Sequence, residues 1–494
     1  MQLTAAHWVY AGFIVLVVIT MAMRRDALIP CIAGTFTLGW IITHTPLGGI
    51  ETVFKSLVVA TRELLSIILV ISVIVGLTTA LEEMGAGRPM VAPAQKLMKS
   101  PGVSFWVLGI VMMAASYFIW PSPAAALLGA ILIPAVTLTG LPAISAAVSL
   151  SLFGYGVALS TDYVIQGAPS ISAKAANLTV GSVMQAQLPL VIVMSVVTLS
   201  VAYYISRRDL AALGRRELPP TEVPPATPQP AHSLPLVLAE GPNGSDPRSD
   251  QLPHSIKAAA VVEIVEQPPT VSSVARLAAV TVPLSYVAVV VALIVFRIRG
   301  TEATTIIGGV TMLLLAVFSL IQYGADGFDV ITRRLITGCS FGMKVFTQVI
   351  VIASFFYLGS PELAPQIFGE GARGLLFDLA KALSTVLPLN RVSVGVLESA
   401  VGCVVGLDGS AFAGLPLTGS LAASLGGVAS LKVATVAGLG QIASVWVGAG
   451  CVPWGVLAVG ASMCGVSPME LARKNLLPIA VGLIVTTLVA IVLM

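Results

Sequence analysis

Long, nearly continuous apolar stretches run along this chain. Five lie before a polar break, at 8–23, 27–45, 64–81, 143–162 and 184–205. Five follow it, at 276–296, 304–323, 338–358, 431–447 and 475–494. A helix that crosses hydrocarbon needs about 20 mostly apolar residues, so each stretch predicts one crossing. Trp8–Met23 has no basic region before it, and Arg24, Arg25 and Asp26 follow it in place of a cleavage site, so a retained helix is expected.

Two further regions, 104–141 and 387–427, are apolar but interrupted. The first predicts a helix to Trp120, then Pro121-Ser122-Pro123, then a second helix to about Gly140. Two prolines so close together remove donors and clash with a regular helix. The second region carries Asp408-Gly409-Ser410, a turn sequence, at the corresponding place. Each region therefore reads as a helical hairpin with a polar tip, re-entrant from one side of the membrane.

The polar break at 207–271 holds twelve prolines and is rich in Ser, Asp and Glu. Such a composition cannot build a core, so a disordered, dispensable linker is expected between transmembrane halves at 1–206 and 272–494. Arg207, Arg208, Arg215 and Arg216 open the linker and place it in the cytoplasm. Five crossings then put the N-terminus outside. Arg24, Arg25, Arg88, Lys96 and Lys99 fall inside on this reading; Lys55, Arg62, Arg297 and Arg299 run against it.

Composition removes whole classes of function. Of 494 residues 56% are hydrophobic and 10% charged, and the mean hydropathy is +0.97. Ordinary soluble chains carry about 25% charge. A soluble enzyme, a secreted domain and a nucleic-acid-binding protein are excluded, which leaves an all-α polytopic protein whose first partner is the lipid bilayer, expected in the cell inner membrane. The cysteines Cys31, Cys339, Cys403, Cys451 and Cys464 lie in or beside apolar stretches and read as packing residues. The four histidines sit at segment ends or in the linker, so no metal site is expected.

The two halves repeat. Gly49–Lys55 parallels Gly327–Arg333, Gly154-Tyr155-Gly156 parallels Gly438-Leu439-Gly440, and Ala168-Pro169 parallels Val452-Pro453. Ser182–Gln185 parallels Ser467–Glu470, and Leu188–Val191 parallels Leu477–Ala480. Five crossings per half, plus one hairpin that returns to its own side, turn the second half over. Inverted repeats of this kind mark secondary transporters.

The chemistry is expected at the interruptions. Backbone that leaves the helix at membrane depth is tolerated only against protein or a water-lined cavity. The second arm of each hairpin begins at a tip, and helix N-termini attract anions. A second irregular segment, where Gly and Pro clusters mark unwinding, follows each hairpin: Gly154-Tyr155-Gly156, then Ser160-Thr161-Asp162 and Gln166–Ser170 in the first half, and Gly448–Gly455 in the second. Ser122, Pro123, Gly167, Ala168, Gly409, Ser410, Gly450 and Cys451 are the expected substrate-binding residues. Asp408, Asp162, Ser160 and Thr161 are the expected coupling-ion residues, since intramembrane charge is rare and costly. Lys174, Lys344, Glu398 and Lys432 also fall in or beside apolar stretches.

Two repeats, each with a polar-tipped hairpin followed by a broken helix, resemble the ion transporter superfamily, which includes divalent-anion/sodium symporters, gluconate permeases and citrate–metal symporters. The resemblance covers nearly the whole chain. It implies a homodimer, an elevator-type motion of the hairpin-bearing part against a scaffold, and substrate and sodium sites at Pro121-Ser122-Pro123, Asp408-Gly409-Ser410 and the segments 166–169 and 448–455. Neither tip carries the Ser-Asn-Thr of the dicarboxylate symporters.

The expected function is secondary active transport of a small organic anion, a carboxylate or sugar acid, coupled to sodium or protons. No cofactor is expected beyond the coupling ion, and no nucleic acid partner. A cation/proton antiporter that uses Asp162 and Asp408 is the alternative. No G-x-S-x-G, H-E-x-x-H or phosphate-binding G-x-x-x-x-G-K-[S/T] motif occurs, so neither an enzyme nor an ATP-driven pump is expected.

Overall fold

The structure is a computed structural model that describes residues 3–23, 25–213, 272–296, 298, 301–370, 372, 374–383, 389–407 and 409–494. No strand occurs among the described residues. The first half runs α1 (Ala5–Ala22), α2 (Leu28–Thr43), α3 (Pro46–Glu83), α4 (Gly87–Gln95), α5 (Pro101–Ile119) and α6 (Pro121–Thr137). It continues with α7 (Ala143–Leu150), which passes through a wider π-helical stretch, Ser151–Ala158, into α8 (Leu159–Thr161), and ends with α9 (Gly167–Ala175) and α10 (Val180–Leu213). The second half runs α11 (Ser273–Val295), α12 (Thr301–Tyr323), α13 (Gly327–Phe356), α14 (Ala364–Phe368), α15 (Leu375–Leu383) and α16 (Arg391–Gly406). It ends with α17 (Leu415–Leu421) and a π-helical stretch at Ala422–Gly426, then α18 (Val433–Gly450), α19 (Leu457–Met463) and α20 (Pro468–Leu493).

Eight helical stretches among the described residues are long and apolar enough to cross a membrane; one of them, Glu302–Gly359, contains both α12 and α13. The apolar helices α1 and α2 are shorter. The chain is a multi-pass membrane protein. Its helices differ in surroundings. The most apolar windows of Ala143–Thr161 and of α18 are 89% buried, against 28–39% for α5, α10, α11 and α20. The peripheral helices turn Ile192, Val196, Leu284, Val291, Ile484 and Leu488 outward, while the two central ones are largely enclosed by protein.

Several segments differ from their expected bounds. The crossing expected at 64–81 is the end of a 38-residue helix, α3. Glu51, Lys55, Arg62 and Glu63 do not interrupt it, since no Pro or Gly lies between Glu51 and Val75, and Lys55 pairs with Glu51 one turn away at 2.6 Å. Thr45 accepts from the Gly48 amide at 3.1 Å and Pro46 occupies the first turn, which fixes the helix start. In the expected linker, residues 207–213 are the end of α10; 214–271 lie outside the described residues. Gly154-Tyr155-Gly156, expected to unwind, lies within the π-helical stretch, where the helix widens but continues.

The long helices α3 and α13 cross closely. Gly338 lies on the Ser72 carbonyl, Gly342 on the Ser72 hydroxyl, and Gly76 on the Arg334 carbonyl. Lipid tails are as apolar as side chains, so helices in a bilayer associate by close packing of small residues. Arg334 and Glu83 pair at the end of the crossing.

A methyl group at Gly338 overlaps the Ser72 carbonyl oxygen, whereas one at Gly309 in α12 meets nothing within 4 Å. Gly338→Ala is expected to destabilise the protein by about 1–3 kcal/mol, as overpacking does. Gly309→Ala is expected to be neutral or stabilising by up to about 1 kcal/mol. Thermal denaturation in detergent separates the two; equal midpoints would remove the close crossing as a stability determinant.

Candidate functional site

Four irregular points of the chain meet in the interior. The first is the tip between α5 and α6. It consists of Trp120 alone, with φ of 72° and 5% exposure. Pro121 and Pro123 do not form a loop, as the sequence suggested. They occupy the first turn of α6, where missing amide donors cost nothing. Ser122 lies beside them and faces the Tyr155 hydroxyl. Close to this tip, Tyr117 and Thr161 share a side-chain hydrogen bond of 2.6 Å.

The second point is the tip between α16 and α17. Asp408 lies outside the described residues. Gly409 and Ala411 have positive φ, 83° and 68°, and the Ser410 hydroxyl accepts from the amides of Phe412 at 3.2 Å and Ala413 at 3.0 Å. Phe412 is buried, and its ring stacks on Trp120 with centroids 5.3 Å apart and planes 26° apart. The tips of the two hairpins therefore touch. Offset aromatic stacking of this kind contributes about 0.5–1.5 kcal/mol beyond burial.

The third point is the break between α8 and α9. Asp162 adopts the left-handed conformation, φ 39°, and its carboxylate turns onto the start of α9. It accepts from the amides of Gln166 at 3.1 Å, Gly167 at 2.5 Å and Ala168 at 3.2 Å. The amides of Gly167 and Ala168, expected to meet substrate, are thus held by a carboxylate of the chain itself. A buried carboxylate that accepts several backbone amides is a charge-assisted cap and a favourable partner for the positive end of the helix. Trp120 stands over Gly167, where an added Cβ lies 3.5 Å from the indole ring.

The fourth point is the break between α18 and α19, at Cys451–Val456. Gly448 and Gly450 are still helical. The Val456 amide donates to the Gly409 carbonyl at 3.1 Å, which ties this break to the second hairpin tip. Gly409 and Gly455 lie backbone to backbone, and no side chain fits between them. Asn475 of α20 donates to the Gly450 carbonyl at 3.0 Å and to the Ser151 hydroxyl at 3.1 Å. Cys451 is partly exposed beside Cys403 on an outer apolar groove.

Side chains of both halves satisfy the carbonyls that the first break frees. Gln441 of α18 donates to the Ser160 carbonyl at 2.9 Å, and Gln187 of α10 to the Thr161 carbonyl at 3.3 Å. The Trp446 indole donates to the Ser160 hydroxyl at 3.1 Å. The structure therefore brings together Ser122, Ser160, Thr161, Asp162, Gly167, Ala168, Gly409, Ser410 and the residues around Gly450. Tyr117, Gln187, Gln441, Trp446 and Asn475 join them; none carries a charge, so the rarity of intramembrane charge does not single them out. Uncharged amides inside an apolar helix were the signal available. Of the lysines singled out, Lys174 pairs with Glu63 of α3 at 3.4 Å. Lys344 is exposed, and Lys432 reaches the Leu493 carbonyl at 2.9 Å.

Comparison with known proteins gives one full-length likeness. The chain is 34% identical over 492 residues to "Uncharacterized membrane protein YhfA" of Bacillus subtilis (strain 168), with 99% of this chain and 98% of the relative covered. No family model matches the chain.

Two expectations follow from the geometry. Asp162→Ala strips three amides of their acceptor and is expected to cost about 1.5–3 kcal/mol of stability per charge-assisted bond lost at most, with Asp162→Asn less affected. Denaturation midpoints in detergent read this out, and an unchanged Asp162→Ala midpoint refutes the capping role. A double-mutant cycle of Trp120→Ala and Phe412→Ala is expected to give a coupling of about 0.5–1.5 kcal/mol. Additive effects would mean that the tips do not support each other.

Proposed function

We propose, from the premise that this chain belongs to the same family as the membrane protein YhfA, that it is a secondary active transporter of a small organic anion, a carboxylate or a sugar acid. Transport is driven by a sodium or proton gradient, and the protein carries out no chemistry on its cargo. The observation that carries this reading is the convergence of two hairpin tips and two helix breaks, joined by Trp120 on Phe412 and by Val456 on Gly409. Discontinuous helices at corresponding places of two halves are the usual frame of a transporter binding site. An ordinary helical scaffold has no need of four such breaks in one interior region.

On this reading the two halves are inverted repeats of the ion transporter superfamily type. The hairpins, the broken helices, α10 and α20 form the moving part, and α1–α3 with α11–α13 form the scaffold of an inner-membrane homodimer. The N-terminus lies outside and the linker in the cytoplasm. Substrate meets Ser122, Ser410 and the backbone at the tips; Asp408, Ser160 and Thr161 serve the coupling ion. The Asp162 carboxylate is occupied by three amides, which disfavours the alternative in which it exchanges cations as an antiporter.

Proteoliposomes loaded with the purified protein test this reading. Labelled succinate, citrate and gluconate are offered under an inward sodium or proton gradient. Accumulation that collapses with the gradient, and that Asp408→Asn abolishes without loss of folded protein, is expected. Cation-driven proton flux seen with a pH-sensitive dye, in the absence of any carboxylate uptake, would replace this reading with an antiporter.

A further inference from the structure

A carboxylic acid lies inside the protein with nothing to meet it. Glu398 sits on α16, the first arm of the second hairpin, roughly two and a half turns before the tip. It is 0% exposed, and neither carboxyl oxygen has a hydrogen-bond partner. The carboxyl lies over Gly440 of α18, where any side chain would overlap its Oε1; the Thr418 Cβ closes the same space, 2.7 Å from where a Cβ of residue 440 would stand. Gly440 thus makes the room that the carboxyl fills.

The charged and titratable groups on the surrounding elements are engaged elsewhere or exposed. On α16 itself, Arg391 is exposed and Cys403 is partly exposed. At the start of α18, Lys432 donates to the Leu493 carbonyl. On α20, Lys474 pairs with Asp209, and Glu470 and Arg473 are exposed. On α1, His7 pairs with Asp378 and Tyr10 donates to the Phe356 carbonyl. The helix α17 and its π-helical continuation, Leu415–Gly426, bring no ionisable side chain. No described cation or donor compensates a charge on Glu398. An isolated carboxylate in a dry interior is prohibitively costly, so the group is buried as the neutral acid.

We propose that Glu398 is a proton-carrying group of this protein, in addition to the coupling-ion residues named above, and that the gradient coupled to its transport is one of protons. The proposal rests on the transporter reading above. When α16 and α18 part enough to admit water, the acid gives one proton to water and becomes a carboxylate. The carboxylate cannot return to its place over Gly440 until it takes one proton back. Closure of this interface therefore requires protonation, which ties the conformational cycle to protons.

Infrared spectra of the reconstituted protein test the protonation without any substrate. A protonated-carboxyl C=O band that survives at alkaline pH, exchanges in heavy water and is missing from Glu398→Gln is expected. A band unaffected by Glu398→Gln, or one that never exchanges, overturns the proposal. Transport of labelled succinate and gluconate supplies the second measurement. Glu398→Gln is expected to lose proton-gradient-driven accumulation while it keeps exchange of labelled for unlabelled substrate across the membrane. Loss of the band with normal gradient-driven uptake would make Glu398 a neutral filler and overturn the proposal. If the native protein takes up neither compound, the substrate class of the transporter reading fails; an infrared band that exchanges and is missing from Glu398→Gln then still supports the exchangeable acid, and its absence overturns the proposal.

Discussion

In hydrocarbon no water is present to satisfy a freed amide or carbonyl, and each one left alone costs several kcal/mol. Most of the breaks among the described residues answer to that constraint. Asp162 caps three amides at the start of α9. Gln441 and Gln187 close the carbonyls of Ser160 and Thr161. Ser410 caps two amides at the second tip, and the Val456 amide finds the Gly409 carbonyl. These breaks are permitted because partners stand at them, and one of those partners, Gln441, comes from the other half of the chain.

The same constraint orders the helices. Helices that carry or face a break must be enclosed by protein, and the windows of Ala143–Thr161 and α18 are the most buried of the spans. Enclosure at that density needs small residues. Gly402, Gly406 and Gly448 let α16 and its tip rest on α18, Gly419 lets α17 rest on α9, and Gly156 receives the Trp446 ring. The outer helices are free of this demand and turn Leu, Ile and Val to the lipid side.

Glu398 and Asp162 show how one constraint treats two acids differently. Asp162 keeps company with three amide donors. Glu398 has the glycine-made space over Gly440 and no donor at all. Both lie in the interior formed by the hairpins and the broken helices, the first as a cap that holds a break closed, the second as an acid that only its neutral form allows to stay.

Apolar stretches of crossing length, the near-absence of charge and the proline-rich break were legible in the sequence, because a bilayer imposes length and polarity on each segment separately. The positions of the breaks were legible for a similar reason: Pro121, Pro123, Gly409 and the Gln166–Pro169 segment act on their own backbone. Local chemistry also had limits. It placed Pro121 and Pro123 in a loop although both fit the first turn of α6, and it began a crossing at 64, after charged residues that α3 carries without interruption. Only the tertiary structure decided that Trp120 meets Phe412, that Asp162 spends its oxygens on Gly167 and Ala168, and that Gln441 reaches Ser160 from 281 residues away. Those pairings depend on which helices are neighbours, and the apolar pattern of a membrane helix, alike on every side, does not say which side faces which partner.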